Sequence, residues 1–431
     1  MALDITRERF LVRAGKQLKK LPYKEEWGED LEKVSLIRNS ISKIPQNMQY
    51  PKCQKLTTLL LSNNSLREIS ESFFEYIPNL KILDLSKNLI QKLPNSISNL
   101  KKLTTLLLCD CMALENVPSL SKLQVLKKLN LAGTLMKKIP QATSRAEEMK
   151  TLNKLEVLEV CFNDMHDLSV YAAQRKRPND YNIFLGRNLM EIGFDSVEIS
   201  KSVTINCFNV KIKNSIILPS DIQGLRLRGC ECNGSSFSDI IGSEGVTDLK
   251  KCTVDSCNGL ESIFSSRCAS LQTIEILLLE YLWNFKIIVG ESMPPEPGTF
   301  SNLQSIYIRG CAKLKNLFSA KWVLQNLHNL EEIYVWGCEE MEEIIASEKE
   351  GISTDNNVMF TLPKLKKLKL SYLPELKSIC RTNEVMDCDS LQQIVILDCP
   401  KLKRIPLHLP LLELDNSQPS PPPSTFPQVL R

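Results

Sequence analysis

The stretch Leu80-Lys-Ile-Leu83-Asp-Leu85-Ser-Lys-Asn88-Leu-Ile90-Gln-Lys-Leu93-Pro94 decides how this chain folds. Its first half alternates, so Leu83 and Leu85 point to one side of a short strand while Ile82, Asp84 and Ser86 point to the other. Asn88 turns the chain, and its amide is suited to bond the backbone groups that a short strand leaves open at its end. Ile90 and Leu93 bring the return segment back over the apolar side, and Pro94 closes it without needing an N–H partner. One such unit is unstable alone. Ordering about 24 residues costs roughly 1–2 kcal/mol each, whereas about half a dozen buried Leu or Ile side chains return roughly 1.5–3 kcal/mol each. Copies must therefore stack.

The pattern recurs. Its first Leu falls at 31, 56, 80, 103, 126 and 155, spaced by 25, 24, 23, 23 and 29 residues. It resumes at Ile222, Leu249, Leu271, Leu303, Leu330, Leu365 and Leu391, spaced by 27, 22, 32, 27, 35 and 26. Between 155 and 222 there is room for one or two degenerate copies, near residues 181–183 and 203–205. Thirteen copies in register identify a leucine-rich repeat array. The expected fold is a curved α/β solenoid, with a parallel β-sheet on the concave face and irregular or short helical returns on the convex face.

The repeat signal also divides the chain. Residues 1–30 precede the first repeat, with the end of a helix expected at Met1–Ile5 and a short strand at Phe10-Leu-Val12. Residues 31–165 form a regular block with an Asn-type turn, whose repeats close on Ile44-Pro45, Leu93-Pro94, Val117-Pro118 and Ile139-Pro140. Residues 166–221 are irregular and include the basic cluster Arg175-Lys-Arg177-Pro178, which reads as a solvated loop. Residues 222–412 resume with a Cys-type turn and carry insertions at 290–299 and 346–358, expected as loops at one edge. Residues 413–431, rich in proline, cannot build a core and are expected to be disordered.

Composition narrows the function. A net charge of +4 from 54 basic and 50 acidic residues is weak and dispersed, which argues against a nucleic-acid partner. No stretch approaches the roughly 18 uncharged apolar residues of a membrane span, and Asp4, Arg7, Glu8, Arg9 and Arg13 interrupt any secretory apolar core. A cytoplasmic protein without an integral membrane segment is expected, peripheral membrane association being left open. Fifteen cysteines are an odd number, and Cys111, Cys230, Cys257, Cys311, Cys338 and Cys399 occupy the turn position that Asn64 and Asn88 fill earlier. They are expected to be buried, reduced thiols. Cys109-Asp-Cys111 and Cys230-Glu-Cys232 lack zinc-site spacing, and only His166, His328 and His408 could assist. No metal and no cofactor are expected. Asn63-Asn-Ser65 and Asn233-Gly-Ser235 match a glycosylation sequon but sit in repeat turns and matter only in a secreted protein.

Enzymatic readings find no support. There is no Gly-x-Ser-x-Gly elbow and no assignable Ser-His-Asp set, and histidine is scarce. Glu339-Glu340-Met341-Glu342-Glu343 imitates paired carboxylates but follows the Cys338 turn at a repeated position, as a solvated face would. No catalytic residue is assigned. Binding is expected instead, at the outward positions between and just after the core leucines. In the first block these are Leu60, Asp84, Leu107, Asn130 and Glu159, a mixed series. In the second they include Arg226, Arg228, Tyr307, Arg309, Tyr334 and Trp336, residue types enriched at binding hot spots, and the last four fall on adjacent repeats.

A resemblance sharpens this. Met1-Ala-Leu-Asp-Ile, Phe10-Leu-Val-Arg-Ala-Gly15 and Glu26-Trp27-Gly-Glu-Asp-Leu31-Glu-Lys-Val-Ser-Leu36 resemble one junction in plant coiled-coil, nucleotide-binding, leucine-rich-repeat disease-resistance receptors. Phe300-Ser-Asn-Leu303, Gly310-Cys311, Leu314-Lys-Asn-Leu317-Phe318, Met341-Glu-Glu-Ile344-Ile345 and Leu376-Lys-Ser-Ile379-Cys380 are phrases of the same family. The resemblance covers about residues 1–412. It implies that residues 1–30 are a remnant of the junction with an upstream winged-helix switch region, the Met-His-Asp motif of that region being expected outside this chain. No Gly-x-x-x-x-Gly-Lys-[Ser/Thr] loop occurs here, so ATP binding is not carried over. The resemblance implies a defence role: recognising a pathogen effector or modified host protein and, in a full-length receptor, restraining the nucleotide switch. The alternative is a stand-alone adaptor or decoy. A substrate-recruiting arm of a ubiquitin ligase would need an F-box-like bundle, for which thirty residues are too few.

Overall fold

The computed structural model describes residues 9–45, 52–134, 150–162, 164–174, 176–186, 199–207, 216–230, 236–241, 246–264, 271–289, 298–319, 323, 326–346, 359–380, 385–403, 405 and 407–408. They fall into two compact units, residues 1–203 and 204–431. Met1–Ile5, Ile139-Pro140, Arg175, Asn233, most of the two insertions and the proline-rich tail lie outside the described residues.

In the first unit the alternating half of each repeat is a short strand. Phe10–Val12, Lys33–Ser35, Thr58–Leu60, Ile82–Asp84, Thr105–Leu107, Lys128–Leu131, Val157–Phe162 and Asp180–Leu185 pair in that order, all parallel. The register aligns the same motif position of every copy. Val34, Leu59, Leu83, Leu106, Leu129, Leu158 and Tyr181 form one row, none more than 1% exposed. Each repeat thus covers the apolar side that its neighbour could not bury alone. The degenerate copies are real: Asp180–Leu185 and Ser202–Asn206 are both strands.

The turn works as the sequence suggests. The residue before it is left-handed in successive copies, at Arg38, Asn63, Lys87, Asp110 and Gly133, with φ from 55° to 69°. Asn88 is 2% exposed and donates its amide to the carbonyls of Leu61 (3.0 Å) and Leu85 (2.8 Å), while its Oδ1 accepts from the Leu66 N–H (3.0 Å). Asn64 repeats this one copy earlier, donating to Leu36 and Leu61 and accepting from Ile41. Cys111 continues the ladder by donating its thiol to the Leu85 carbonyl at 3.2 Å. Returns include short helices at Phe73–Tyr76 and Asn95–Asn99, which bury Phe73, Phe74 and Ile97.

A longer helix, Met165–Ala172, fills the return after Val157–Phe162 and is capped by Asp164, whose carboxylate accepts from the Asp167 N–H. It opens with Met165-His166-Asp167, so the tripeptide expected only outside the chain does occur in it. Its place between two strands of the array makes it part of a repeat return and not of a winged-helix subdomain.

The second unit repeats the scheme with five-residue strands. Gly224–Arg228, Lys251–Asp255, Ile276–Glu280, Ser305–Arg309, Glu332–Trp336, Lys367–Ser371 and Gln393–Leu397 pair in order, all parallel. On the opposite side, some returns pair as short parallel strands, among them Ser262–Phe264 with Ile287–Val289 and Phe318–Ser319 with Ile345–Ala346.

Two expectations need correction here. The third copy of this unit starts at Ile274 rather than Leu271, because Leu277 is the residue in register with Cys252 and Ile306. Leu271 and Ile274 are both fully buried, so apolarity alone could not choose between them. The thiol of Cys230 is not free: it is bonded to Cys207, whose Cα lies 4.7 Å away. Cys111, Cys257, Cys311 and Cys338 are buried free thiols, as expected; Cys399 is free but only half-buried.

Candidate functional site

Alternation along each strand leaves outward rows on the sheet face of the second unit. One holds Arg226, Thr253, Leu278, Tyr307, Tyr334, Lys369 and Val395; another holds Arg228, Asp255, Glu280, Arg309, Trp336, Ser371 and Leu397. The six expected site residues therefore separate into two groups. Tyr307, Arg309, Tyr334 and Trp336 stand on neighbouring strands, paired Tyr307 with Tyr334 and Arg309 with Trp336. Arg226 and Arg228 lie three strands away, roughly 14 Å at the usual strand spacing. Arg228 is engaged there by Asp255, Nε to Oδ2 at 3.1 Å.

The central group is tied together by its rings. Tyr307 and Tyr334 have centroids 6.2 Å apart and tilted by 44°. The Arg309 guanidinium lies between two aromatic faces, 4.8 Å from the Trp336 centroid and 5.3 Å from that of Tyr281. Trp336 meets Tyr372 edge-on at 5.6 Å. Tyr281, Arg309, Trp336 and Tyr372 thus form a line of touching side chains over four successive strands.

Tyr281 and Tyr372 escaped the sequence reading. They occupy the left-handed position that ends each strand, with φ 53° and 55°, where Gly310 and Gly337 stand in the two repeats between them. Bulky residues rarely adopt that backbone. Aligning the column before each turn would have found them, since Gly229, Ser256, Tyr281, Gly310, Gly337, Tyr372 and Asp398 all fall in it.

Polar groups border the rings. The Tyr307 hydroxyl donates to Glu332 Oε2 at 2.7 Å, and Lys367 Nζ donates to Glu332 Oε1 at 2.6 Å. Burial and then the adjacent Glu332 push the Tyr307 phenol up to about 12. Burial alone would raise Glu332, but its hydrogen bonds from Lys367 and Tyr307 and the charge of Lys367 hold it below the usual carboxylate range. This arrangement offers large rigid area, oriented cations and an occupied carboxylate. It is suited to holding a partner surface.

The opposite side of the repeats is different. Glu339 and Glu340 are exposed, Met341 is buried, and Glu342 pairs with Lys377 at 2.6 Å. The acidic cluster is a solvated face. Among the described residues no helix is long and apolar enough to cross a membrane.

Residues 272–408 match the family model described as "Plant disease resistance protein RPS2-like, leucine-rich repeats", and residues 54–112 match that described as "Leucine rich repeat". A putative disease resistance protein of Arabidopsis thaliana is 29% identical over 94% of this chain and 40% of its own length. A probable disease resistance protein of the same plant is 25% identical over 92% of this chain and 48% of its own. The chain therefore spans less than half the length of these relatives. Among solved structures, a leucine-rich repeat protein of Leptospira interrogans is 17% identical, with a TM-score of 0.49 over 95% of this chain and 94% of that one.

Proposed function

We propose that this chain, a leucine-rich repeat protein related to plant disease resistance proteins, acts in plant innate immunity by binding a pathogen effector or a modified host protein on the strand face of its second unit. One observation carries the reading: Tyr307, Arg309, Tyr334 and Trp336 converge with Tyr281 and Tyr372 on one exposed face. Such residues bring large contact area at low entropic cost and dominate measured interfaces. The work is binding rather than turnover, and it needs no cofactor.

In a longer receptor the repeats would also restrain a nucleotide-binding switch. That requires the ligand to bind the restrained and released states with different affinity. The second reading, an adaptor or decoy, uses the same face without coupling to nucleotide. It shares the observation that carries the first reading, the grouping of Tyr307, Arg309, Tyr334 and Trp336. A cytoplasmic site of action belongs to both readings, and the Cys207–Cys230 bond tests it, because reducing compartments rarely keep disulfides.

The experiment is a titration of the purified chain with candidate effectors and host proteins, and separately with the nucleotide-binding region of a related disease resistance protein. Trp336→Ala and Tyr334→Ala should each weaken a true partner by about 2 kcal/mol, roughly thirtyfold. Saturable binding that ignores both changes would move the interface elsewhere. No affinity for any switch region would remove the restraint.

A further inference from the structure

We propose that Arg309 is a carboxylate receptor, positioned by Tyr281, Trp336 and Gly310 to take an acidic side chain flanked by apolar residues on a protein partner. The inference rests on the binding reading above and names the chemistry that the face selects.

The cations of this face are mostly in use. Arg228 is paired with Asp255, Lys367 with Glu332 and Lys366 with Glu331. Arg309 is the exception at the centre. Its guanidinium makes no hydrogen bond and no ion pair with any described residue, although Glu280 stands opposite it in the register. Instead the guanidinium carbon lies over the rings of Tyr281 and Trp336. A guanidinium confined by two rings has fewer orientations open to it, which favours presenting its fork of N–H donors to a carboxylate through two parallel hydrogen bonds.

One side of this support is Tyr281, which places a bulky ring at the left-handed position shared by the turns of the array. Its ring occupies space that any side chain at position 310 would need: a Cβ on Gly310 would lie 2.8 Å from Tyr281 Cδ1. Gly310 therefore keeps Tyr281 against Arg309. The repeat turn fixes this backbone in copy after copy, so what is particular here is the bulky ring that it sets against Arg309.

The surroundings define the occupant. Beyond Trp336 the exposed apolar area comes from Tyr372, 46% exposed just after the next strand, and Leu397, 37% exposed on the strand after that. Lys369, beside Tyr334 in the register, makes no ion pair with a described residue and offers a second cation. A singly charged carboxylate matches one free fork. A doubly charged phosphate would meet stronger repulsion than a carboxylate from Glu280, which stands opposite Arg309 in the register. We therefore commit to an acidic residue with apolar neighbours.

The test uses the full chain and three fluorescein-labelled peptides, Gly-Ser-Leu-Glu-Leu-Ser-Gly, its Gln counterpart and its phosphoserine counterpart, read by anisotropy. The Glu peptide should bind saturably and the Gln peptide about tenfold more weakly. Arg309→Lys keeps the charge but loses the fork, and Gly310→Ala keeps every charge but displaces Tyr281. Each should weaken the Glu peptide about fivefold or more, with thermal unfolding confirming that the variants are folded. Lys377→Ala, on the opposite side, should leave binding unchanged. Equal binding of the Glu and Gln peptides, no saturable binding of the Glu peptide, or indifference to Arg309→Lys would overturn the proposal. Tighter binding of the phosphoserine peptide would overturn the carboxylate assignment. A protein partner that needs Trp336 but ignores Arg309→Lys would leave the binding face standing and refute the receptor alone.

Discussion

Asn88→Ala is the sharpest test of how the repeats hold together. The Asn88 amide reaches the carbonyls of Leu61, Leu85 and, less closely, Ser86 at 3.2 Å, and one N–H, yet these groups do not suffer equally when it is removed. The Leu61 carbonyl also accepts from Asn64 at 3.0 Å, and the Leu85 carbonyl also accepts from the Cys111 thiol at 3.2 Å. Each loses one of two partners, at roughly 0.5–1 kcal/mol apiece. The Leu66 N–H loses its only side-chain acceptor in a site that water does not reach, at roughly 1–3 kcal/mol. The sum is about 3 kcal/mol. Asn88→Cys keeps a weak donor and should lose less. Because long repeat arrays depart from two-state unfolding, the assay is native-state hydrogen exchange read at the Leu66 amide, with urea unfolding beside it. Exchange at Leu66 should speed up by about two orders of magnitude, the factor that corresponds to about 3 kcal/mol. An acceleration under tenfold would refute the claim that this amide carries the turn.

Other outcomes follow from the same geometry. Glu332→Gln should bring the Tyr307 phenol down from about 12 towards its ordinary value, short of reaching it because burial remains, as ultraviolet titration would show. Burial pushes the Cys111 thiol up to about 11, above its ordinary value near 9, so the folded state holds that proton longer than the unfolded chain does. The corresponding stability is fully present below about pH 9 and is lost as pH rises through about 11; Cys111→Ala should remove its share of that loss in unfolding experiments across the range. In native protein at neutral pH, a thiol reagent should leave Cys111 and Cys311 unmodified; in denatured protein it should reach Cys207 and Cys230 only after a reductant, with mass spectrometry locating the labels.

What the sequence disclosed depended on how tightly each position is constrained. Leu83, Leu85 and Asn88 were legible because burial and turn geometry each admit few residue types there. Leu271 misled because it and Ile274 are both buried, and only strand pairing separates a motif leucine from an apolar residue one turn earlier. Cys207 lies in a degenerate copy, so nothing in the sequence set it beside Cys230. The site was half legible. Alternation placed Tyr307, Arg309, Tyr334 and Trp336 on one face, but it could not show that Arg226 and Arg228 are three strands away from them. Nor could it reveal Tyr281 and Tyr372, since the left-handed position they occupy is one where a tyrosine is not anticipated.

The turn ladder also has a direction. Asn64 supplies the acceptor for Ile41 and a donor for Leu36, and Asn88 does the same for Leu66 and Leu61; each side chain completes the copy made before it. During synthesis, a repeat leaving the ribosome is therefore unfinished until the next turn emerges, 25 residues later for Asn64 after Asn39 and 24 for Asn88 after Asn64. A cut on the C-terminal side of a repeat in this block strips it of partners it cannot replace. A cut on either side opens strand backbone and apolar surface, but at the turn a cut on the N-terminal side leaves only an amide that water can satisfy. Designed truncations of the first unit should tolerate trimming from the front better than from behind.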